Sequence, residues 1–299
     1  MGLSLTRTVF PVEWSVNYES ITNMKFSRQL FVLLLALITS LPLLTGNARA
    51  KDYEMKVGIQ TWTLRNMDFD QVVDFCVKHK IKYVQMIDKH INPKGPLEET
   101  KRKKAILDQN GLVCYTFGVA GTSMDKEDNR KLFEFAKFMG IKVIVVEPRE
   151  MAQWDNLDEL VKEYDIKLAI HNHGLTSTYG NPETVKKILN ARDKRIGVCL
   201  DAGHATGAGF DIAKVFREYN GRVFDIHLKD KKIEKVDGKE VIHDVEIGTG
   251  QANFKELFTA LKRANWDGVL AIETDNDSFA KNPDQYVDGA IRFVNANQP

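Results

Sequence analysis

Eight short apolar runs, each followed by a segment of helical periodicity, constrain the fold of this chain more than any other feature. Seven runs begin near residues 56, 83, 113, 142, 167, 196 and 223, and the eighth begins near residue 268. A spacing of roughly 25–30 residues is typical of a repeated strand–helix unit. The runs contain few polar residues, as expected for parallel strands that helices cover. Eight such units predict an α/β protein with a single-domain (β/α)8 barrel, the TIM barrel.

Most of these runs end in a residue whose side chain can bind a metal ion or take part in catalysis. Active sites of (β/α)8 barrels form at the carboxyl ends of the strands, and alternate residues of a strand share a face. Imidazoles and carboxylates gathered at one rim predict a site for a divalent ion, with Mn²⁺, Zn²⁺, Co²⁺ and Mg²⁺ all left open. The residues at or just past the strand ends are Glu147, His171, His173, Asp201, His204, His227, Lys229 and Glu273.

The predicted metal ligands are Asp201, His227 and Glu273, with either His171 or Glu147 as the fourth. An ordinary structural role is the alternative for several of the rim residues. A single aspartate after a strand is often a helix cap, and a single strand histidine is often a packing residue. The H-N-H triplet and a further histidine on another strand favour a site.

Three other residues keep two interpretations each. Glu147 either takes part in the site or pairs with Arg149, which follows it closely. Lys229 either acts at the site or pairs with Asp230. Trp62 follows the first run and is either ordinary barrel packing or a wall for a sugar ring.

The first fifty residues do not share the strand–helix pattern. Lys25 and Arg28 precede an apolar run at 30–44, and Ala48-Arg49-Ala50 follows it. This arrangement predicts a secretory signal peptide that is cleaved before Lys51, because the run is shorter than the roughly 20 residues of a spanning helix. We expect translation to start at Met24, residues 51–299 to form the barrel, and the mature protein to be periplasmic or secreted, without a membrane anchor.

The net charge and the cysteine count argue against nucleic acid as a partner and against disulfide bonds. The formal net charge of the whole chain is +1, so no bulk attraction to nucleic acid is expected. The three cysteines are odd in number and include no CxxC pair, which favours buried, unpaired thiols.

Local signals place two further elements. The segment FDQVVDFCVKH predicts an amphipathic helix with Asp70 as its cap, and Pro182 suits a first helical turn. Residues 231–250 lengthen the last interval and contain two glycine turns. They predict a small hairpin or loop over the barrel mouth.

Four segments carry a resemblance to a known family: CLDAGH, DIHLKD, EIGTGQANF and GVLAIETD. From about residue 55 to 295 the chain resembles the xylose isomerase-like TIM-barrel superfamily of sugar phosphate isomerases and epimerases. That superfamily includes ketose 3-epimerases, inosose dehydratases and barrel-type apurinic-site endonucleases. The resemblance implies metal ligation by Asp201, His227 and Glu273, and substrate contact by His204.

The resemblance breaks at the fifth run, where His171 stands in place of the glutamate of two-base epimerases. Without that carboxylate, Glu147 would have to serve as the second base beside Glu273. H-x-H on the fifth run and Lys229 after the metal histidine look more like the dehydratase members. A lysine beside a metal can act as an acid or base if its pKa is lowered.

Together these features predict a secreted, metal-dependent isomerase or epimerase that removes a proton α to a carbonyl of a small sugar or glycoside. Catalysis is assigned to Glu147, Lys229 and Glu273, and substrate binding to Trp62, His173 and His204. A dehydratase or lyase that eliminates a β-oxygen is the alternative, as is a barrel that binds sugar without turnover. The resemblance also leaves a homodimer open, and balanced charge argues against the endonuclease activity.

Overall fold

The eight predicted strands close into one parallel barrel in a computed structural model that describes residues 53–299. The predicted TIM barrel is confirmed; the predicted leader, residues 1–50, lies outside the described residues. The barrel strands are β1 (Lys56–Gln60), β2 (Tyr83–Met86), β3 (Val113–Ala120), β4 (Val143–Val146), β5 (Lys167–His171), β6 (Ile196–Asp201), β7 (Val223–Leu228) and β10 (Val269–Ile272). Consecutive barrel strands pair in parallel, with register shifts in the pairs β2/β3, β3/β4 and β6/β7, and the last barrel strand closes the ring against the first.

Helices follow the strands and cover the outside of the barrel. None of those in residues 53–299 is long and apolar enough to cross a membrane. They are α1 (Phe69–Lys78), α2 (Leu97–Gln109), α3 (Lys126–Met139), α4 (Gln153–Tyr164), α5 (Pro182–Ala191), α6 (Ala202–Gly207), α7 (Ile212–Glu218), α8 (Phe254–Arg263), α9 (Asp277–Lys281) and α10 (Pro283–Ala296).

Helix α1 shows how local sequence sets these elements. Val72, Val73, Phe75 and Cys76 bury one face, as its periodicity predicts, whereas Val77 is exposed. The predicted cap was wrong by two residues: the Asp68 side chain accepts from the Gln71 backbone N–H, and Asp70 lies in the first turn. The Gln71 side chain accepts in return from the Asp68 N–H, which completes a capping box. Pro182 begins α5, as predicted.

The insert after β7 is an antiparallel hairpin of β8 (Asp230–Val236) and β9 (Lys239–Val245). Asp237 and Gly238 form its turn with φ of 51° and 76°, the backbone that an Asp-Gly hairpin turn requires. Asp230 fixes the end of the insert, because its carboxylate accepts from the backbone N–H groups of Gly248, Gly250 and Ala252. The hairpin is thereby tied to the carboxyl end of the barrel.

Candidate metal centre and active site

Four side chains from four different strands meet at the carboxyl end of the barrel. His171, Asp201 and His227 end or nearly end β5, β6 and β7, and Glu273 directly follows β10. One potential ligand atom from each lies within 4.8 Å of the others. All four residues are buried, and Asp201 and His227 are fully so. Closure of the barrel is what brings them together, since they span about a hundred residues of sequence.

The distances within this cluster suit a divalent ion. His171 Nε2 lies 3.1 Å from His227 Nδ1, and Glu273 Oε2 lies 2.7 Å from the same Nδ1. Asp201 Oδ2 lies 3.6 Å from His171 Nε2. Asp201 Oδ2 and Glu273 Oε2 make no hydrogen bond of regular geometry within residues 53–299, although imidazole nitrogens and the Lys229 ammonium approach them. Two carboxylates and two imidazoles that converge in a buried pocket form a ligand set that a divalent cation would satisfy.

Lys229 lies beside this cluster and is fully buried. Its Nζ is 3.0 Å from Asp201 Oδ2, 3.3 Å from Glu273 Oε2 and 2.9 Å from Asp275 Oδ2. Burial alone would lower the pKa of Lys229, but the three carboxylates outweigh it and hold that pKa well above its usual value. The sequence made a role of Lys229 as acid or base conditional on a pKa lowered by a nearby metal; the surrounding carboxylates act in the opposite direction and favour the ammonium form.

The alternative pairing of Lys229 with Asp230 is not present. Asp230 instead accepts from the backbone of the 248–252 segment, and its carboxylate is committed to that loop. Lys229 stands among carboxylates from β6 and from the end of β10. We call Asp201, Glu273 and Asp275 the carboxylate wall.

Asp275 is a site residue that the sequence reasoning missed. It contacts His204 Nε2 at 3.3 Å as well as Lys229. Burial would raise the pKa of Asp275, but His204 and Lys229 hold it well below its usual value. A signal was present: Asp275 follows Glu273 by two residues, the same spacing that pairs His227 with Lys229.

A second group at the mouth, at the ends of β4 and β5, consists of Glu147, His171 and His173, which we call the imidazole wall. Glu147 Oε2 is 2.6 Å from His173 Nδ1 and 4.0 Å from His171 Nδ1. Burial opposes ionisation of Glu147, but the two histidines lower its pKa to about 2. The hydrogen bond to Glu147 raises the pKa of His173, although burial opposes it.

These contacts bear on two alternatives left open by the sequence: the partner of Glu147, and the residue at the fourth position of the metal cluster. The carboxylate of Glu147 contacts His173, and residues 53–299 contain no Glu147–Arg149 ion pair. Glu147 lies behind His171, whose Nε2 faces Asp201 and His227. Of the two candidates for the fourth position in the cluster, His171 is therefore the one the fold brings there.

The predicted substrate-binding residues line the same mouth. The His204 ring centroid lies 4.8 Å from that of His173, so His204 connects the two walls. Trp62 follows β1 and is 42% exposed. Arg65 covers its ring at 5.0 Å and also donates to the Asp275 carbonyl, so Trp62 lies at the rim beside the carboxylate wall.

A second layer of polar residues lies deeper in the barrel. Gln85 Oε1 is 2.8 Å from His227 Nε2, and Asp225 accepts from the Tyr115 hydroxyl at 2.9 Å. Burial raises the pKa of Asp225 to about 6. The sequence reasoning missed this layer, although Gln85 and Asp225 are single polar letters inside the apolar runs YVQMID and VFDIHL.

Comparison with known proteins agrees with this geometry. The family model for the xylose isomerase-like TIM barrel matches residues 73–296, which is most of the chain. The chain belongs to the xylose isomerase-like TIM barrel family. The resemblance stated from the sequence is confirmed at this level.

Relatives within the family include named enzymes. An inosose dehydratase of Clostridium perfringens is 27% identical over 247 residues, covering 68% of this chain and 83% of the relative. The prediction of an enzyme, an isomerase or related carbon–oxygen lyase, is confirmed.

Solved structures show the same barrel. A putative uncharacterized protein from Parabacteroides distasonis is 29% identical, with a TM-score of 0.62, and the match covers 80% of this chain and 98% of that one. The IOLI protein, whose structure contains a zinc atom, is 17% identical with a TM-score of 0.65; the match covers 82% of this chain and 98% of that one. At that identity the second likeness concerns the fold.

Proposed function

We propose that this protein is a metal-dependent carbon–oxygen lyase that acts on a small keto-sugar or related cyclic polyhydroxy ketone. It would remove a proton α to the carbonyl and expel a β-oxygen. The observation that carries the proposal is the buried ammonium of Lys229, which lies beside the predicted metal centre, with His204 between it and a His173–Glu147 pair. One wall thus offers an acid and the other a base.

His173 is the proposed base. Its Nδ1 is hydrogen-bonded to Glu147, which leaves Nε2 free to accept a proton from a substrate carbon. The side chain is 44% exposed, so a substrate in the mouth can reach it. This refines the roles expected from the sequence: His173 moves the proton, and Glu147 positions its ring and stabilises the imidazolium.

Lys229 is the proposed acid. When the C–H electron pair forms the new C=C bond, the β C–O bond breaks and its electrons move to oxygen. The Lys229 ammonium donates a proton to that oxygen, which departs as water or an alcohol. An ammonium held by three carboxylates is suited to this step, because it is protonated at neutral pH.

His171, Asp201, His227 and Glu273 would hold the divalent ion. When bound, such an ion draws electron density from the substrate carbonyl and makes the neighbouring C–H more acidic. The four residues fit this role, since they bring two carboxylates and two imidazole nitrogens together in a buried pocket. His204 and Trp62 would then position the sugar ring from the rim.

Isomerisation is the second candidate, because an enolate can also be reprotonated at another carbon. Two-base epimerisation fits less well. The strand-five carboxylate that would flank the sugar is replaced by His171, and Glu147 is held against His173. The similarity to an inosose dehydratase also supports elimination.

The decisive experiment is incubation of the zinc- or manganese-loaded enzyme in D₂O with keto-inositols, 3-keto-sugars and 3-keto-glycosides. Elimination predicts an unsaturated ketone and release of water or the aglycone. A saturated product with deuterium at one carbon would instead establish an isomerase or epimerase. Absence of both turnover and stoichiometric metal would leave a binding protein.

We also infer that the protein is exported, from the basic, apolar and small-residue segments that end at Ala50. An exported enzyme would meet free sugars and glycosides rather than phosphorylated intermediates. N-terminal sequencing of native protein from fractionated cells should begin near Lys51. A cytoplasmic protein that retains residues 24–50 would exclude export.

A further inference from the structure

Gln85 makes a contact that reaches across the inside of the barrel. It lies on β2 and His227 lies on β7, yet Gln85 Oε1 is 2.8 Å from His227 Nε2. Both residues are completely buried. Water cannot easily replace this contact, so the Gln85 amide determines whether His227 Nε2 donates or accepts a hydrogen bond.

An amide oxygen only accepts hydrogen bonds. With Gln85 Oε1 as the acceptor at Nε2, a neutral, metal-binding His227 would carry its ring proton on Nε2 and keep the lone pair on Nδ1. That Nδ1 faces His171, Asp201 and Glu273, at the centre of the predicted metal site. A histidine binds a metal through a lone pair, and a partner on its other nitrogen commonly fixes the ring.

We propose that Gln85 is a positioning residue that holds His227 in the Nε2–H tautomer and thereby keeps Nδ1 available for a divalent ion. The proposal rests on the metal centre of the proposed function. The reverse orientation of the amide would present NH₂ to Nε2 and move the ring proton to Nδ1, where it would block the ion. Metal binding therefore requires the oxygen of Gln85 at this position.

The chain supplies a matched control. Gln60 pairs in register with Gln85 on the adjacent strand β1 and is equally buried. Its amide bonds to the Gly118 carbonyl at 2.8 Å and to the Trp62 N–H at 3.0 Å. Among its hydrogen bonds none involves a histidine, so the same substitution there tests the loss of a buried amide alone.

The experiment measures Zn²⁺ affinity by chelator competition in the full protein and in Gln85→Met, Gln85→Glu and Gln60→Met. Methionine matches glutamine in length but does not replace the amide acceptor. We expect Gln85→Met to weaken zinc binding about 10- to 100-fold, the usual effect of losing an outer partner. Gln85→Glu should bind within about threefold of wild type or tighter, because a carboxylate is also an acceptor. Gln60→Met should bind within the same threefold range.

A second readout follows the tautomer directly. In the zinc-loaded wild type, ¹H–¹⁵N NMR of the imidazoles should show a protected His227 Nε2–H, and this protection should be lost in Gln85→Met. Wild-type zinc affinity in Gln85→Met, or equal weakening in Gln60→Met, would overturn the proposal. If Gln85→Met does not fold, Gln85→Glu decides: binding more than tenfold weaker refutes the role. Failure of the wild type to bind zinc or manganese would instead refute the metal centre itself.

Discussion

The two walls of the barrel mouth differ in charge and in access to water. On the carboxylate wall, Asp201 and Glu273 are closed to water, with side chains exposed by 0% and 7%, and Lys229 beside them is exposed by 1%, whereas Asp275 is exposed by 42%. On the imidazole wall, His173 and Glu147 are exposed by 44% and 22%, whereas His171, which faces the metal cluster, is exposed by 2%. A closed wall with an excess of carboxylates retains cations, whereas an open histidine with one free nitrogen can exchange protons with a substrate. At one rim, buried carboxylates are thus suited to retain a cation, and an exposed histidine is suited to transfer protons.

Asp201→Asn should give the largest effect, because it removes charge from the centre of the closed wall. The asparagine oxygen can still accept from the His204 N–H at the start of α6, so the fold should persist. We expect metal affinity to fall by more than about 100-fold, beyond the cost of losing an outer partner. Turnover should fall with it.

Thermal unfolding supplies a check that does not depend on activity. Zinc at about 100 times its Kd should stabilise the wild-type metal-free protein by about 2.7 kcal/mol. For a domain of this size that corresponds to a rise in Tm of about 5–10 °C. Asp201→Asn should show almost no rise, and a wild-type shift in this variant would remove Asp201 from the centre.

Lys229→Met should separate catalysis from metal binding on the same wall. We expect kcat to fall by about 10²-fold or more, the scale of losing a general acid. Metal content should remain, because an ammonium is not a ligand and its loss makes the pocket more negative. Near-wild-type kcat, or a product that is only the C3 epimer of the substrate, would contradict the lyase assignment.

The two walls were predicted from the sequence only in part. Strand periodicity sufficed for the barrel, and the i, i+2 rule grouped His171 with His173 and His227 with Lys229. Asp275 obeys the same rule and ends the segment GVLAIETD, but it was not assigned a role, because sequence spacing does not show that its carboxylate reaches Lys229. Gln85 could not be assigned from sequence, since its partner lies 142 residues away and only barrel closure joins them.

The environment of Lys229 was the second feature that could not be predicted from the sequence. The sequence suggested either a pair with Asp230 or a place beside a metal that could lower the pKa of Lys229. Its actual neighbours are carboxylates of β6 and of the segment after β10, and they raise that pKa. The sign of a pKa shift depends on which charges the fold brings within a few ångströms, and adjacent sequence does not contain that information.

Glu147→Gln tests whether the open wall works as a pair. Glutamine keeps an acceptor for His173 Nδ1 but loses the charge that stabilises an imidazolium, so we expect kcat to fall about tenfold. In a His173→Ala background the same change should have almost no effect, because Glu147 acts through His173. Zinc affinity should change less than threefold in all three variants. Additive losses in the double variant would show that Glu147 acts independently.

The smallest expected effect comes from the hairpin, which supports the closed wall from outside. Asp244 on β9 accepts from the Thr274 hydroxyl at 2.9 Å and from the Asp275 N–H at 2.6 Å, and it pairs with Lys231. Asp244→Asn keeps an acceptor for the loop but weakens these charged contacts by about 1 kcal/mol. If Asp275 thereby holds Lys229 less well, kcat should fall about fivefold while zinc affinity stays constant. Glu240→Gln, on the exposed part of β9, is the control and should match wild type. Wild-type kcat in Asp244→Asn would mean that Asp275 is held by its own segment, and that the hairpin covers the mouth without tuning the acid.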